Sequence, residues 1–342
     1  GHLGNEKFLA ALSIATSVIT MIFWSFGFLR MGTVGLIAQA SGRKDYNEII
    51  QVLIRNLLLA LLIGIIIIFL KDSILFLIKS FFSTSAETFA LISRYVSIRI
   101  LSAPAELIIY VLAGFYLGLQ KTNISSLMIS FFCISNAILS AILVTRFDLE
   151  IIGVAAGTMI TAYVTIIIFL ILSYFQLKDK LKRSFTVKKI FNLVKLLQLF
   201  NINFDIFIRT IFLTFSFLWI TYQSSKLGDN YLAVNTILMQ FILLASFFLD
   251  AYAFSTEAII GYTIGKRSKN SFLTVVSNSF QLSIISGLVI SFIYLLFFQT
   301  IINELTDLAY LKFLTFNYIF WIIIIPPVAS ICYQFDGIFI GA

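Results

Sequence analysis

Histidine is almost missing from this chain: His2 is the only one in 342 residues. That sets aside histidine-ligated haem, histidine-based metal sites and a histidine proton relay. Cysteine is nearly as scarce. Cys133 and Cys332 lie in separate apolar runs with no CxxC spacing, so the sequence encodes no disulfide framework and gives no reading of redox compartment. Charge is thin, 12% of residues, against roughly 25% in ordinary soluble domains. No DDxxD motif and no His/Glu zinc set occurs, which removes the metal-dependent chemistry a membrane prenyltransferase needs. The expectation is a protein that is not an enzyme and needs no cofactor. Period-two alternation is also absent, and the apolar runs far exceed the roughly 10 residues a membrane barrel strand uses.

What the chain has is grease. It is 60% hydrophobic with a mean hydropathy of +1.02. A helix needs about 20 apolar residues to cross the hydrocarbon, and the runs predict nine spans, at 8–41, 49–70, 88–119, 123–145, 152–176, 196–224, 231–264, 272–298 and 313–342. Proline removes a backbone donor and clashes with the preceding turn, so Pro104 and the pair Pro326–Pro327 are the expected kinks. Basic residues orient the spans. Loops 42–48, 120–122, 177–195 and 265–271 hold thirteen of them and the alternate loops six, which predicts that the first set is cytoplasmic. Seven of the thirteen lie between Lys178 and Lys195. That run holds two aromatics, Phe185 and Phe191, and no regular interleaving for base stacking is evident, so the +8 net charge reads as topology and lipid contact, with no nucleic-acid partner.

The chain repeats itself. "AQASGRKD" at 38–45 resembles "GYTIGKRS" at 261–268, and "LSAPAELIIYVLAGFYLG" at 101–118 resembles "IIPPVASICYQFDGIFIG" at 324–341. Gly42 and Gly265, Pro104 and Pro327, Gly114 and Gly337, and Gly118 and Gly341 are each 223 residues apart. The fold class expected is all-α: a polytopic membrane bundle of two parallel six-helix repeats, twelve helices when complete and about nine here. Such repeats place substrate near midplane between them. The domains expected are a first lobe at 1–176, a basic cytoplasmic linker at 177–195 and a second lobe at 196–342. On this alignment the first lobe lacks its opening helix and the second its last two, as in a fragment truncated at both ends.

Ten charges fall inside the spans: Arg30, Arg55, Arg94, Arg99, Arg209, Glu106, Asp205, Asp250, Glu257 and Asp336. A charge at the bilayer centre costs at least about 2.5–3.5 kcal/mol on insertion scales, which makes each a functional candidate. Four of the five acids are in the second copy. The offset sets Asp250 opposite Gly27, Glu257 opposite Val34 and Asp336 opposite Ala113, so these acids are additions to a symmetric scaffold. Asp205, Asp250, Asp336 and Glu257 are the candidates for cation coupling; Arg30, Glu106 and Arg209 are candidates for a substrate cavity. The structural alternative pairs Asp205 with Arg209 along one helix, Glu106 with Arg99 or Arg30, and Asp336 with neighbouring backbone.

Five stretches, "FLRMGTVGLIAQASG" (28–42), "LSAPAELIIYVLAGFYLG" (101–118), "NFDIFIR" (203–209), "LDAYAFSTEA" (249–258) and "CYQFDGIFIGA" (332–342), resemble the multidrug and toxic compound extrusion (MATE) family, in its DinF-like branch of the MOP flippase superfamily. The resemblance implies twelve helices in two lobes and alternating access. It implies a monomeric antiporter of the cell's inner membrane that expels small organic, often cationic, compounds in exchange for H⁺ or Na⁺. It also implies a first-lobe cation site that here keeps Asn136 and Thr158 but has Ser140 where an acid is expected. A lipid-linked precursor flippase of the same superfamily is the alternative, motivated by Arg30 and Arg99.

Overall fold

The computed structural model describes residues 6–82, 85–178 and 190–342. Most of the basic linker predicted at 177–195, including Lys180, Lys182, Arg183, Lys188 and Lys189, lies outside the described residues. Among the described residues the secondary structure is helical, with no strand. The helices are α1 (Glu6–Trp24), α2 (Phe28–Gly42), α3 (Tyr46–Phe69), α4 (Lys71–Phe81), α5 (Ala86–Arg99), α6 (Ala103–Gly118), α7 (Thr122–Thr145), α8 (Glu150–Leu177), α9 (Leu193–Lys226), α10 (Asp229–Gly265), α11 (Lys269–Leu305), α12 (Ala309–Phe316) and α13 (Ile319–Gly341). Nine stretches of the described residues are long and apolar enough to cross a membrane. Their outward faces carry large apolar side chains, such as Leu127, Phe212 and Phe339, as lipid-facing surfaces should.

The chain divides into two compact units, 1–207 and 208–342. In the first, α2 and α3 both pack on α6, around a core that includes Leu29, Ile37, Leu107, Leu112 and Phe115. In the second, α10 and α11 both pack on α13, around Phe241, Leu249, Tyr294 and Phe298. Tyr294 stands edge-on to Phe241 and donates its hydroxyl to the Phe241 carbonyl at 2.7 Å.

The offset of 223 residues holds at atomic detail within the two units. A methyl placed on Gly114 would meet the carbonyl of Arg30 at 2.5 Å, and one on Gly337 the carbonyl of Ala253 at 2.5 Å. Gly118 approaches the carbonyl of Val34 at 2.8 Å, and Gly341 that of Glu257 at 2.5 Å. Gly64 lies against Pro104, and Gly287 against Pro327. In each case both partners shift by 223. The small residues let backbones touch, which is how membrane helices gain packing energy when lipid tails are as apolar as leucine. Helix starts follow the same rule. Lys44 and Arg267 turn the chain at φ 59° and 55°. Asp45 and Ser268 then cap α3 and α11, their side chains accepting from the amides of Glu48 and Ser271.

The two copies differ in where they break. The first interrupts its opening span at Ser25–Gly27, where the second runs unbroken through α10; Gly27 is the position at which α10 carries Asp250. A 3₁₀ turn at Ile100–Ser102 precedes Pro104, at the kink the sequence predicted. The matching helix in the second copy continues through Pro326 and Pro327, and its interruption falls earlier, at Asn317–Tyr318.

Candidate functional site

Polar groups inside the first unit gather in two clusters. The first lies where the 3₁₀ turn joins α5 to α6. Arg99 ends α5 and Glu106 sits in the first turn of α6, so the break aims them at each other. The Arg99 guanidinium donates to both Glu106 carboxylate oxygens and to the Ser102 hydroxyl, and lies 5.1 Å from the Phe23 ring centre. Ser102 also donates to Glu106 Oε1 at 2.7 Å. Both charged side chains are 12% exposed. Tyr110, one turn further along α6, is within electrostatic reach of Glu106, Arg99 and Arg30.

The second cluster is neutral. Asn136 on α7 accepts at Oδ1 from the Ser140 hydroxyl at 3.0 Å and from the Thr158 hydroxyl on α8 at 2.9 Å. Gly157, beside Thr158, makes room: a methyl there would lie 2.9 Å from the Ser140 backbone nitrogen. Asn136 and Thr158 are thus together, joined by the serine that stands where an acid was expected. Asp205, on α9, is exposed within this unit.

The second unit pairs two candidates and carries a third, Asp250, on a helix that packs against that of Asp336. The Arg209 guanidinium on α9 pairs with the Asp336 carboxylate on α13, both partly buried. Tyr333, one turn before Asp336, is within electrostatic reach of Asp250, Arg209 and Asp336. Asp250 belongs to α10, so three helices contribute. The ion pair links residues 127 apart in sequence, where the sequence offered Asp205, four residues away, as Arg209's partner. Glu257 is placed differently. It is 1% exposed, on the seam where Gly341 meets its backbone carbonyl. Beside it the Thr256 hydroxyl donates to Gln334 Oε1 at 2.7 Å, both residues buried.

Sequence reasoning passed over Ser102, Tyr110, Tyr333, Gln334 and Asn203. The first four flank named candidates by one helical turn or less, a signal that spacing alone contains. Asn203 sits inside "NFDIFIR" and is 4% exposed. Among the described residues no group of three or more His, Cys, Asp or Glu side chains is arranged to hold a metal ion.

Comparison with known proteins agrees with this architecture. The family model described as MatE matches residues 1–142 and 205–342. The chain is 33% identical over 344 residues to DNA damage-inducible protein F of Escherichia coli, covering all of this chain and 74% of that protein. It is 26% identical over 216 residues to the multidrug export protein MepA of Staphylococcus saprophyticus, covering 62% of this chain and 46% of MepA. A crystal structure of MATE in the bent conformation superposes with a TM-score of 0.86 at 19% identity, over 98% of this chain and 75% of the other. The nine spans, the twofold repeat and the family model lead to one conclusion: this chain belongs to the MATE family of membrane transporters.

Proposed function

We propose that the protein is a secondary active exporter that exchanges small organic, often cationic, compounds for H⁺ or Na⁺ by alternating access. The observation that carries this reading is the Arg209–Asp336 ion pair on α9 and α13, with Asp250 on α10, which packs against α13, in the unit whose symmetric counterpart has glycine and alanine at the acid positions. A carboxylate paired with a guanidinium in a membrane interior changes the local charge balance when it takes up a proton or a sodium ion. Neutralising Asp336 weakens its ion pair with Arg209, so the cation stabilises a different arrangement of α9, α10 and α13. A ligand shifts a conformational equilibrium only through such a difference in affinity between states. A cationic substrate competes for the same carboxylates, which makes export and cation entry alternate.

In the first lobe, Asn136, Ser140 and Thr158 supply neutral oxygens and no carboxylate, so coupling rests on the second-lobe acids. Arg30, Glu106 and Arg209 border the substrate path. The lobes are assigned to 1–176 and 196–342, joined by the basic linker, and the protein works as a monomer in the inner membrane. Loops 42–48, 120–122, 177–195 and 265–271 face the cytoplasm, as the excess of basic residues there directs. The similarity to MepA, a multidrug export protein, supports the export direction. The test is efflux of a fluorescent organic cation from cells expressing wild-type protein, Asp250→Asn or Asp336→Asn at equal levels. Loss of efflux in both variants is expected; efflux at the wild-type rate in both sinks the proposal.

A further inference from the structure

The first unit holds a cavity of ≈ 570 Å³ that the transport reading does not use. Its walls are α3, with Leu58, Leu59 and Leu62, and the start of α9, with Leu196, Phe200 and Phe204. Leu62 and Phe200 are more than half exposed, so the hollow is a groove open at the lipid-facing surface. Two polar side chains interrupt the apolar lining, Arg55 and Asn203. Asn203 is 4% exposed, and among the described residues neither its Oδ1 nor its Nδ2 has a hydrogen-bond partner. It is seated against Gly32, where a side chain would displace it. A buried amide without partners costs roughly 1–3 kcal/mol, and such exceptions call for an explanation such as a missing ligand.

The groove adjoins a polar hollow of ≈ 330 Å³ lined by Gln39, Arg43, Asp45, Glu48, Lys195 and Gln198. The two meet where Arg55 Nη1 stands 4.0 Å from Glu48 Oε1 and Lys195 Nζ 3.2 Å from the same oxygen. Arg55 also donates Nε to the Ile190 carbonyl at 2.9 Å, which ties α3 to the chain just ahead of α9. Around this junction Arg43, Lys44, Arg55 and Lys195 outnumber Asp45 and Glu48. A charged polar pocket beside a long apolar groove has the form of a phospholipid.

We propose that this paired hollow binds one anionic phospholipid from the adjoining leaflet. The acyl chain lies along Leu58, Leu62 and Phe200. The Asn203 amide hydrogen-bonds a polar group that the lipid carries inward, such as an ester carbonyl. The anionic headgroup rests in the polar hollow against Lys195 and Arg43. Basic residues at a membrane surface attract anionic lipid in this way. The site needs no transport event and stands apart from the exporter reading.

Native mass spectrometry of the purified protein tests it, with phosphatidylglycerol and phosphatidylcholine of identical chains as probes. Wild-type protein should retain one phosphatidylglycerol at least about tenfold more strongly than phosphatidylcholine, since several basic residues each add about a fivefold preference. Lys195→Gln should lower that retention about fivefold. Leu62→Trp, which fills the groove from an exposed position, and Asn203→Leu should lower it further. Leu127→Trp, at a lipid-facing position of α7, should leave it unchanged. Glycerol 3-phosphate should not displace the lipid, because the groove holds the chain. Equal retention of the two lipids overturns the proposal. So does wild-type retention in both Leu62→Trp and Asn203→Leu, the result expected if another part of the protein covers the groove. Displacement by glycerol 3-phosphate overturns it as well.

Discussion

Replacing Gly64 by alanine puts a methyl group where α3 meets α6. That methyl would lie 2.6 Å from the nitrogen of Pro104 and 3.0 Å from its Cβ. Neither atom can swing aside: the proline ring is fixed and its nitrogen is main chain. The helices must part by roughly 1 Å, and a gap of 0.5–1 Å forfeits about a quarter to a half of the dispersion energy of each contact along the seam. Overpacking of this kind costs about 1–3 kcal/mol. At about 2–4 °C per kcal/mol for chains of 150–250 residues, the scale nearest this one, the melting temperature should fall by roughly 2–12 °C. The repeat adds a second arm. Gly287→Ala meets Pro327 Cα at 2.8 Å and the Pro326 carbonyl at 2.9 Å, so it should cost a similar but somewhat smaller amount. Ile65→Ala, next to Gly64 and lipid-facing, should cost little, because lipid replaces the lost contacts. The assay is thermal unfolding of detergent-solubilised protein followed by size exclusion. Wild-type stability in both glycine variants, or a loss in Ile65→Ala as large as theirs, would refute the packing argument.

Three further outcomes follow from the polar clusters. Arg99→Ala leaves Glu106 buried without its partner and should lower stability by about 3–5 kcal/mol, whereas Arg99→Met with Glu106→Leu should cost much less; chemical denaturation of the two variants checks the difference. Gln334→Leu removes the acceptor of the buried Thr256 hydroxyl and should cost about 1–3 kcal/mol in the same measurement. Arg209→Gln should reduce efflux at least tenfold, because Asp336 loses the guanidinium it pairs with, while the glutamine amide, still a hydrogen-bond donor, should keep expression near wild type; the fluorescent-cation efflux assay checks it.

Spacing carried much of the fold. Long apolar runs mark spans because a bilayer leaves a helix no other way to satisfy its backbone. Gly114, Gly118, Gly337 and Gly341 revealed the repeat because they stand where one backbone touches another and no side chain fits. Gly64 and Gly287 do the same work and passed unnoticed: each is a lone glycine in an apolar run, and only the proline 40 residues later shows its purpose. The break at Ser25–Gly27 was illegible for the same reason, since the run around it stays apolar. The acids were visible as charges in grease, but their partners were not. Which way Arg209 turns depends on how α9 and α13 are rotated against each other, and sequence fixes no such angle. Asn203 looked like one polar residue among aromatics, and only its burial without a partner sets it apart.

The central claim is that the second-unit acids couple export to a cation gradient. The protein, reconstituted in proteoliposomes, should move an organic cation when an opposing H⁺ or Na⁺ gradient is imposed, and stop when that gradient is collapsed. Asp336→Asn should abolish the gradient's effect. Transport that continues unchanged with both gradients collapsed, or that Asp336→Asn couples as well as wild type does, would contradict it.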